Sequence, residues 1–305
     1  MFSNGESAVI GGTASRPAGP PFDQWQSPGY LAWSMQNIAS FLPVHPIGRG
    51  ERATAFGSAP EDLSLVRVEH PWGGPTVTFD DVMAATATDG WIVTRDGYVV
   101  GESYSEPMTQ TTVHLLMSVS KSLTTATTGA LAGAGVLDTT RQVADYVPAL
   151  ASSGYAGATV RDLVDMRTGV RFSEDYLDNA AEVRLLEEAI GWAPRVHEGV
   201  ADTLLGFLAS LGADGPHGGR FDYKSCETDA LGFVIEGATG RAGADVMSDW
   251  LWQPMGAERD ANVSVDSVGG PMFDGGVSAT LRDLARFGSL FLRDGYALDG
   301  MPVLP

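Results

Sequence analysis

Cysteine and lysine are nearly missing from this chain. A single cysteine, Cys226, excludes an internal disulfide framework. Of 19 basic residues only two are lysines, Lys121 and Lys224. Long apolar runs are missing too: stretches such as Leu115-Leu116-Met117 fall far short of the ~20 residues a membrane span needs. The N-terminus, Met1-Phe2-Ser3-Asn4-Gly5-Glu6-Ser7, lacks the basic cluster and following apolar stretch of a secretory signal. With one cysteine, that favours the cytoplasm. Positive charge is scarce overall. A formal net charge of −19 argues against nucleic acid, which needs Lys and Arg to neutralise phosphates, and against anionic membrane surfaces.

What remains is an ordinary globular composition, 44% apolar and 19% charged over 305 residues, enough for a sizeable core. Arginine-favouring codon usage is the bland explanation for the lack of lysine and carries most of the weight. Even so, lysine can lose its proton when buried and arginine cannot, and both lysines fall inside candidate motifs.

Residues 1–60 read as an irregular N-terminal arm, rich in Gly, Pro and Ser at its start, with one short amphipathic helix around Trp33–Phe41. Trp91-Ile92-Val93-Thr94 and Tyr98-Val99-Val100 flank Arg95-Asp96-Gly97, which predicts a β-hairpin. From Ser118 to Leu131 the apolar residues Val119, Leu123, Ala126, Ala130 and Leu131, with Leu116 before them, fall roughly on one helical face, and Gly133 and Gly135 end the helix. Thr159 and Asp162 frame a capping box for a helix over 159–166. Residues 170–220 read as mostly helical with Gly-rich joints, and further helices are expected over Asp229–Glu236 and Ala279–Leu292. The fold class is α+β: an antiparallel sheet flanked by helices. A sheet domain is expected over 61–169 and 262–305, with a helical subdomain inserted at 170–261.

Three motifs carry the functional reading. In Ser118-Val119-Ser120-Lys121 the first and last residues are i and i+3, on one helical face about 5–6 Å apart at Cβ. A serine is a weak nucleophile until its proton is taken, and a lysine kept neutral by burial can take it. Ser120 lacks that relation to Lys121. In Phe221-Asp222-Tyr223-Lys224-Ser225, Tyr223 can project a hydroxyl into a cleft as general base and later acid, Ser225 can donate to substrate, and Lys224 points elsewhere. Asp274-Gly275-Gly276-Val277-Ser278-Ala279-Thr280 reads as structural: a close backbone approach followed by a helix cap from Ser278 or Thr280. The five histidines show no metal-ligand spacing, no phosphate loop opens a helix, and Cys226 reads as a packed thiol.

The order of these motifs over about residues 90–300 resembles the serine β-lactamase, penicillin-binding protein and esterase superfamily. Leu116-Met117-Ser118-Val119-Ser120-Lys121-Ser122, Gly135-Val136-Leu137-Asp138, the 159–170 stretch, the tyrosine motif and Gly275-Gly276-Val277-Ser278 carry the resemblance. Around His114–Leu123, Glu174-Asp175-Tyr176 and Asp283-Leu284-Ala285-Arg286 the sequence looks most like the nylon-oligomer branch, the 6-aminohexanoate-dimer hydrolases. The resemblance implies a β-lactamase/transpeptidase-like fold and acylation of Ser118, with Lys121 and Tyr223 handling its proton. It implies small amide or short ester substrates and no cofactor; the histidine spacing gives no metal, and a homodimer is left open. It also puts Tyr176 and Glu187 near the substrate, Glu187 standing where the family often has aspartate. The chain stops at Met301-Pro302-Val303-Leu304-Pro305, before the family's His-Gly or Lys-Thr-Gly strand, so the C-terminal strands and the second oxyanion donor are expected to be lacking. The alternatives are a non-catalytic or truncated binding relative, and a β-lactamase or D-alanyl-D-alanine peptidase.

Overall fold

The computed structural model describes residues 19–63, 66–69 and 73–305. In chain order its elements are α1 (Leu31–Gln36), β1 (Val44–Ile47), β2 (Gly57–Ser58), β3 (Arg67–Val68), β4 (Val77–Thr78), α2 (Phe79–Ala85), β5 (Gly90–Arg95), β6 (Tyr98–Tyr104) and β7 (Val113–Leu115). Then follow α3 (Ser120–Gly133), α4 (Val143–Tyr146), α5 (Val160–Val164), α6 (Glu182–Ala189), α7 (Leu204–Ser210), α8 (Ser225–Thr239), α9 (Gly243–Met247), β8 (Ala261–Ser264), β9 (Val277–Thr280) and α10 (Leu281–Leu292).

The main sheet is antiparallel, in the order β1-β8-β9-β7. A second sheet runs β2-β6-β5, and β3 pairs with β4. The hairpin forms as expected: β5 and β6 pair antiparallel, and Asp96 and Gly97 both take the positive φ that a tight turn of this hand requires. The 1–60 stretch is not wholly irregular. Residues 1–18 lie outside the described set, but α1, β1 and β2 all fall within it, and β1 pairs with β8 in register Val44↔Ser264 through Ile47↔Ala261. Pro46 within β1 is tolerated because β1 is an edge strand, where one side of the backbone needs no partner.

The long helix α3 is buried between two cores and packs on α8, α9 and the π-turn at Ser248–Trp252. Its inward residues include Thr124, Thr127 and Thr128 as well as Leu123 and Leu131. Each threonine hydroxyl returns to a carbonyl four residues back, so three buried polar groups are satisfied within the helix itself. Val119, expected on the buried face, is exposed, because it belongs to the 3₁₀ turn before α3. The 170–220 region carries less helix than expected: α6 and α7 are short and irregular segments join them. Ala279 and Thr280 are strand, not helix. They are buried where β9 pairs with β7, and Thr280 then caps α10. Among the described residues no helix is long and apolar enough to cross a membrane.

The predicted capping box is present at α5, where Thr159 Oγ1 accepts from Asp162 N and Asp162 Oδ2 accepts from Thr159 N at 2.9 Å. Thr159→Ala is expected to lower stability by about 1 kcal/mol, read as a lower urea midpoint at unchanged slope. A shift within error would show that the box adds nothing to this buried helix.

Candidate active site

Strand β7 runs into a 3₁₀ turn, Met117–Val119, that opens α3. Met117 sits at φ +47°, in the left-handed region unfavourable for a side chain. The bend points Ser118 out of the surface while Lys121, one turn later and 7% exposed, lies beneath it. The N–H of Ser118 belongs to the first turn and has no helical acceptor, so it can face an oxyanion. Ser120 points inward and its Oγ accepts from Val277 N, which ties α3 to β9.

Tyr223 reaches the same point from 105 residues away. Its neighbours fix it. Asp222 N–H donates to the Met166 carbonyl, and the Lys224 amine is buried on the Thr168 carbonyl at 3.2 Å and the Asp222 carboxylate at 3.1 Å. Lys224 thus points away from the site, as expected. The Tyr223 hydroxyl donates to Ser118 Oγ at 2.8 Å, and Lys121 Nζ donates to the same oxygen at 3.1 Å. Lys121 Nζ also lies 5.2 Å from the Tyr223 ring centroid. The serine, the amine and the phenol therefore converge on one oxygen.

Lys121 has two further partners that the sequence did not show. Its Nζ donates to the Asp274 backbone carbonyl at 2.7 Å and lies 3.7 Å from Asp274 Oδ2. Burial pulls the amine down from its ordinary value, but the Asp274 carboxylate and the Tyr223 hydroxyl outweigh it and the net direction is up. The expectation that burial alone holds Lys121 neutral leaves out these partners, which favour the ammonium against burial. Beneath it, Asp274 N donates to Asp229 Oδ1 at 2.9 Å. Burial pushes both carboxyls up, Asp229 well above the carboxylate range.

The remaining predicted residues do not join the contacts on Ser118 Oγ. Tyr176 is half-exposed, its hydroxyl held up by burial and by Glu174. Glu187 is paired with Arg184 at 2.8 Å, and the Arg184 guanidinium stacks over the Tyr176 ring and donates to its carbonyl. Ser225 is 1% exposed. Its N–H donates to Glu174 Oε1 and its side chain lies beside the Asp274 carboxylate, so it is not free to meet substrate as expected. Cys226 is a buried free thiol.

Fold and site together define a β-lactamase-type serine hydrolase. Residues 76–303 match the Beta-lactamase family, and the chain belongs to it. More particularly, it is a homologue of the 6-aminohexanoate-dimer hydrolase of Paenarthrobacter ureafaciens, with 36% identity over 284 residues, 93% of this chain and 70% of the relative. A solved structure from Bacillus anthracis, provisionally named 6-aminohexanoate-dimer hydrolase, superposes with a TM-score of 0.86 at 25% identity, covering 93% of this chain and 74% of that one. A class C β-lactamase of Rhodobacter sphaeroides shares the fold at a TM-score of 0.53 and 22% identity, over 72% of this chain and 65% of that one.

Proposed function

We propose that this protein hydrolyses small linear amides, of the 6-aminohexanoate-oligomer type, and short carboxylic esters through an acyl-enzyme on Ser118. One observation carries the reading: Ser118 Oγ lies within hydrogen-bond reach of both Lys121 Nζ and Tyr223 OH. In the resting arrangement both groups donate to that oxygen. For attack, the serine must instead donate to one of them, so the Lys121–Tyr223 pair must first give up a proton. The serine proton then enters the pair as Oγ bonds to the carbonyl carbon, and the pair returns it to the leaving amine or alcohol. Water, deprotonated by the same pair, attacks the acyl carbon, the bond to Oγ breaks, and the pair returns the proton to Ser118 Oγ as the acid leaves. The Ser118 N–H faces the developing oxyanion.

The linear-amide part of the reading is supported by the names of the two relatives and by Tyr176 and Glu187, which the resemblance puts near the substrate. Glu187 is paired with Arg184 and does not stand alone as an ammonium receptor.

The test is intact mass after treatment with a phosphonate probe, alongside turnover of an activated short-chain ester. One adduct is expected on the wild type, mapping to Ser118 and missing from Ser118→Ala. Labelling that persists in that variant removes Ser118 from the chemistry. Labelling without ester turnover identifies a binding relative instead.

A further inference from the structure

We propose that Asp274 is a positioning residue of the Lys121–Tyr223 pair: buried and ionised, it holds the Lys121 ammonium against Ser118 and sets the pH above which that pair releases its proton. The inference rests on the Ser118 reading above.

The geometry is specific to this residue. Asp274 meets Lys121 twice, its backbone carbonyl accepting a hydrogen bond at 2.7 Å and its Oδ2 facing the amine as an ion pair at 3.7 Å, so one residue bears on both the direction and the charge of the amine. The groups facing Lys121 come from every side. Ser118 faces it from the turn before α3, Tyr223 from the segment before α8, Asp229 from α8, and Asp274 from the loop before β9. Glu174 and Tyr176 act on Asp274 from the 172–178 loop.

Two carboxyls and one ammonium meet here out of water. Asp274 Oδ1 and Asp229 Oδ2 are both buried without a hydrogen-bond partner. Two uncompensated buried anions are far costlier than one anion facing a cation, so the two carboxyls share one proton. Asp229 is fully buried and lies farther from the amine, so it keeps that proton. Lys121, 3.7 Å from Asp274 Oδ2, favours the ionised form of Asp274 against the push of burial. The pair's own proton must leave against the pull of this anion, and Tyr223, 41% exposed, gives it a path to solvent.

The sign of the effect does not depend on which member of the pair loses the proton. An anion nearby makes the loss harder, and removing the anion makes it easier. The experiment is the pH profile of kcat/KM for p-nitrophenyl acetate, with intact-mass acylation in parallel, for the wild type and for Asp274→Asn, Asp274→Ser, Asp274→Glu and Asp229→Asn. The wild-type profile is expected to rise with pH along one limb. Both neutral variants at 274 are expected to move that limb to lower pH by about 1 unit or more. Asp274→Glu restores the limb towards the wild type, and Asp229→Asn, which mimics the protonated acid, leaves it in place. Loss of activity equal at all pH values in both neutral variants, with the limb unmoved, would reduce Asp274 to a structural role. An equal shift in Asp229→Asn would overturn the assignment of the charge to Asp274. Ser118→Ala, run alongside, keeps the readings apart: ester turnover that survives in it sinks the acyl-enzyme itself, whatever the 274 variants do.

Discussion

Lys121→Met slows acylation of Ser118 by about 10²–10⁴-fold, the range that a positioned general base contributes. Methionine keeps much of the length of the buried stem and cannot exchange a proton, while Ser118 and Tyr223 keep their own supports. The informative comparison is Lys121→Arg. Arginine retains the positive charge that faces Asp274 and Tyr223, yet it does not deprotonate in a protein. If Lys121 acts by proton transfer, Arg is as poor as Met. If it acts only as a fixed charge beside Tyr223, Arg stays within about tenfold of the wild type. We expect the first outcome, measured as the burst rate with an activated ester while far-UV dichroism and thermal midpoint verify folding. Arg activity near wild type would pass the proton-transfer role to Tyr223 alone.

The two lysines show what a sequence can and cannot disclose. Their scarcity singled them out, and both are buried, at 7% and 5% exposure, each held on a backbone carbonyl. The Ser118–Lys121 relation was legible because it is local: i and i+3 on one turn is a property of any helix. Tyr223 was legible only through the order of several motifs, since nothing local says that a residue 105 positions away reaches the same oxygen. Asp274 was read as part of a glycine-rich structural motif. Its contact with Lys121 spans 153 residues, and the glycines after it gave the stronger local signal. An aspartate preceding paired glycines in an otherwise apolar stretch was the available hint, but a hint of burial without a partner.

The misplaced elements have a similar cause. Ala279 and Thr280 suit a helix as well as a strand, and only pairing with β7 decides for the strand. Strand β1 was hidden by Pro46, which argues against a central strand but is compatible with an edge. Ser225 was assigned to substrate from its place near Tyr223. At the first turn of α8 it faces inward, where Glu174 and Asp274 meet it.

Arg286→Met is the substitution expected to cost most in stability, about 3–5 kcal/mol. Arg286 is 1% exposed and among the largest fully buried side chains. Its guanidinium donates to the Thr54 carbonyl at 2.6 Å and to Asp283 Oδ1 at 3.1 Å, pairs with Glu258, and stacks on Phe56 at 5.1 Å. Asp283 is itself fully buried. It accepts from the Glu258 and Arg259 N–H groups and from Thr280 Oγ1, so it joins the cap of α10 to the chain entering β8. One cation thus locks three segments: residues 54–56, the 258–259 approach to β8, and α10. Methionine fills part of the volume but leaves the Asp283 carboxylate without its cation and the Thr54 carbonyl without its donor, and the loss of a buried partner dominates the loss of packing. Asp283→Asn in the same chain removes the stranded charge and should return part of the loss, a coupling that a packing defect alone does not give. Urea denaturation of the two single variants and the double variant measures it. A single-variant loss below about 1 kcal/mol, or additive losses in the double, would show that the network is not what fastens the N-terminal segment to α10.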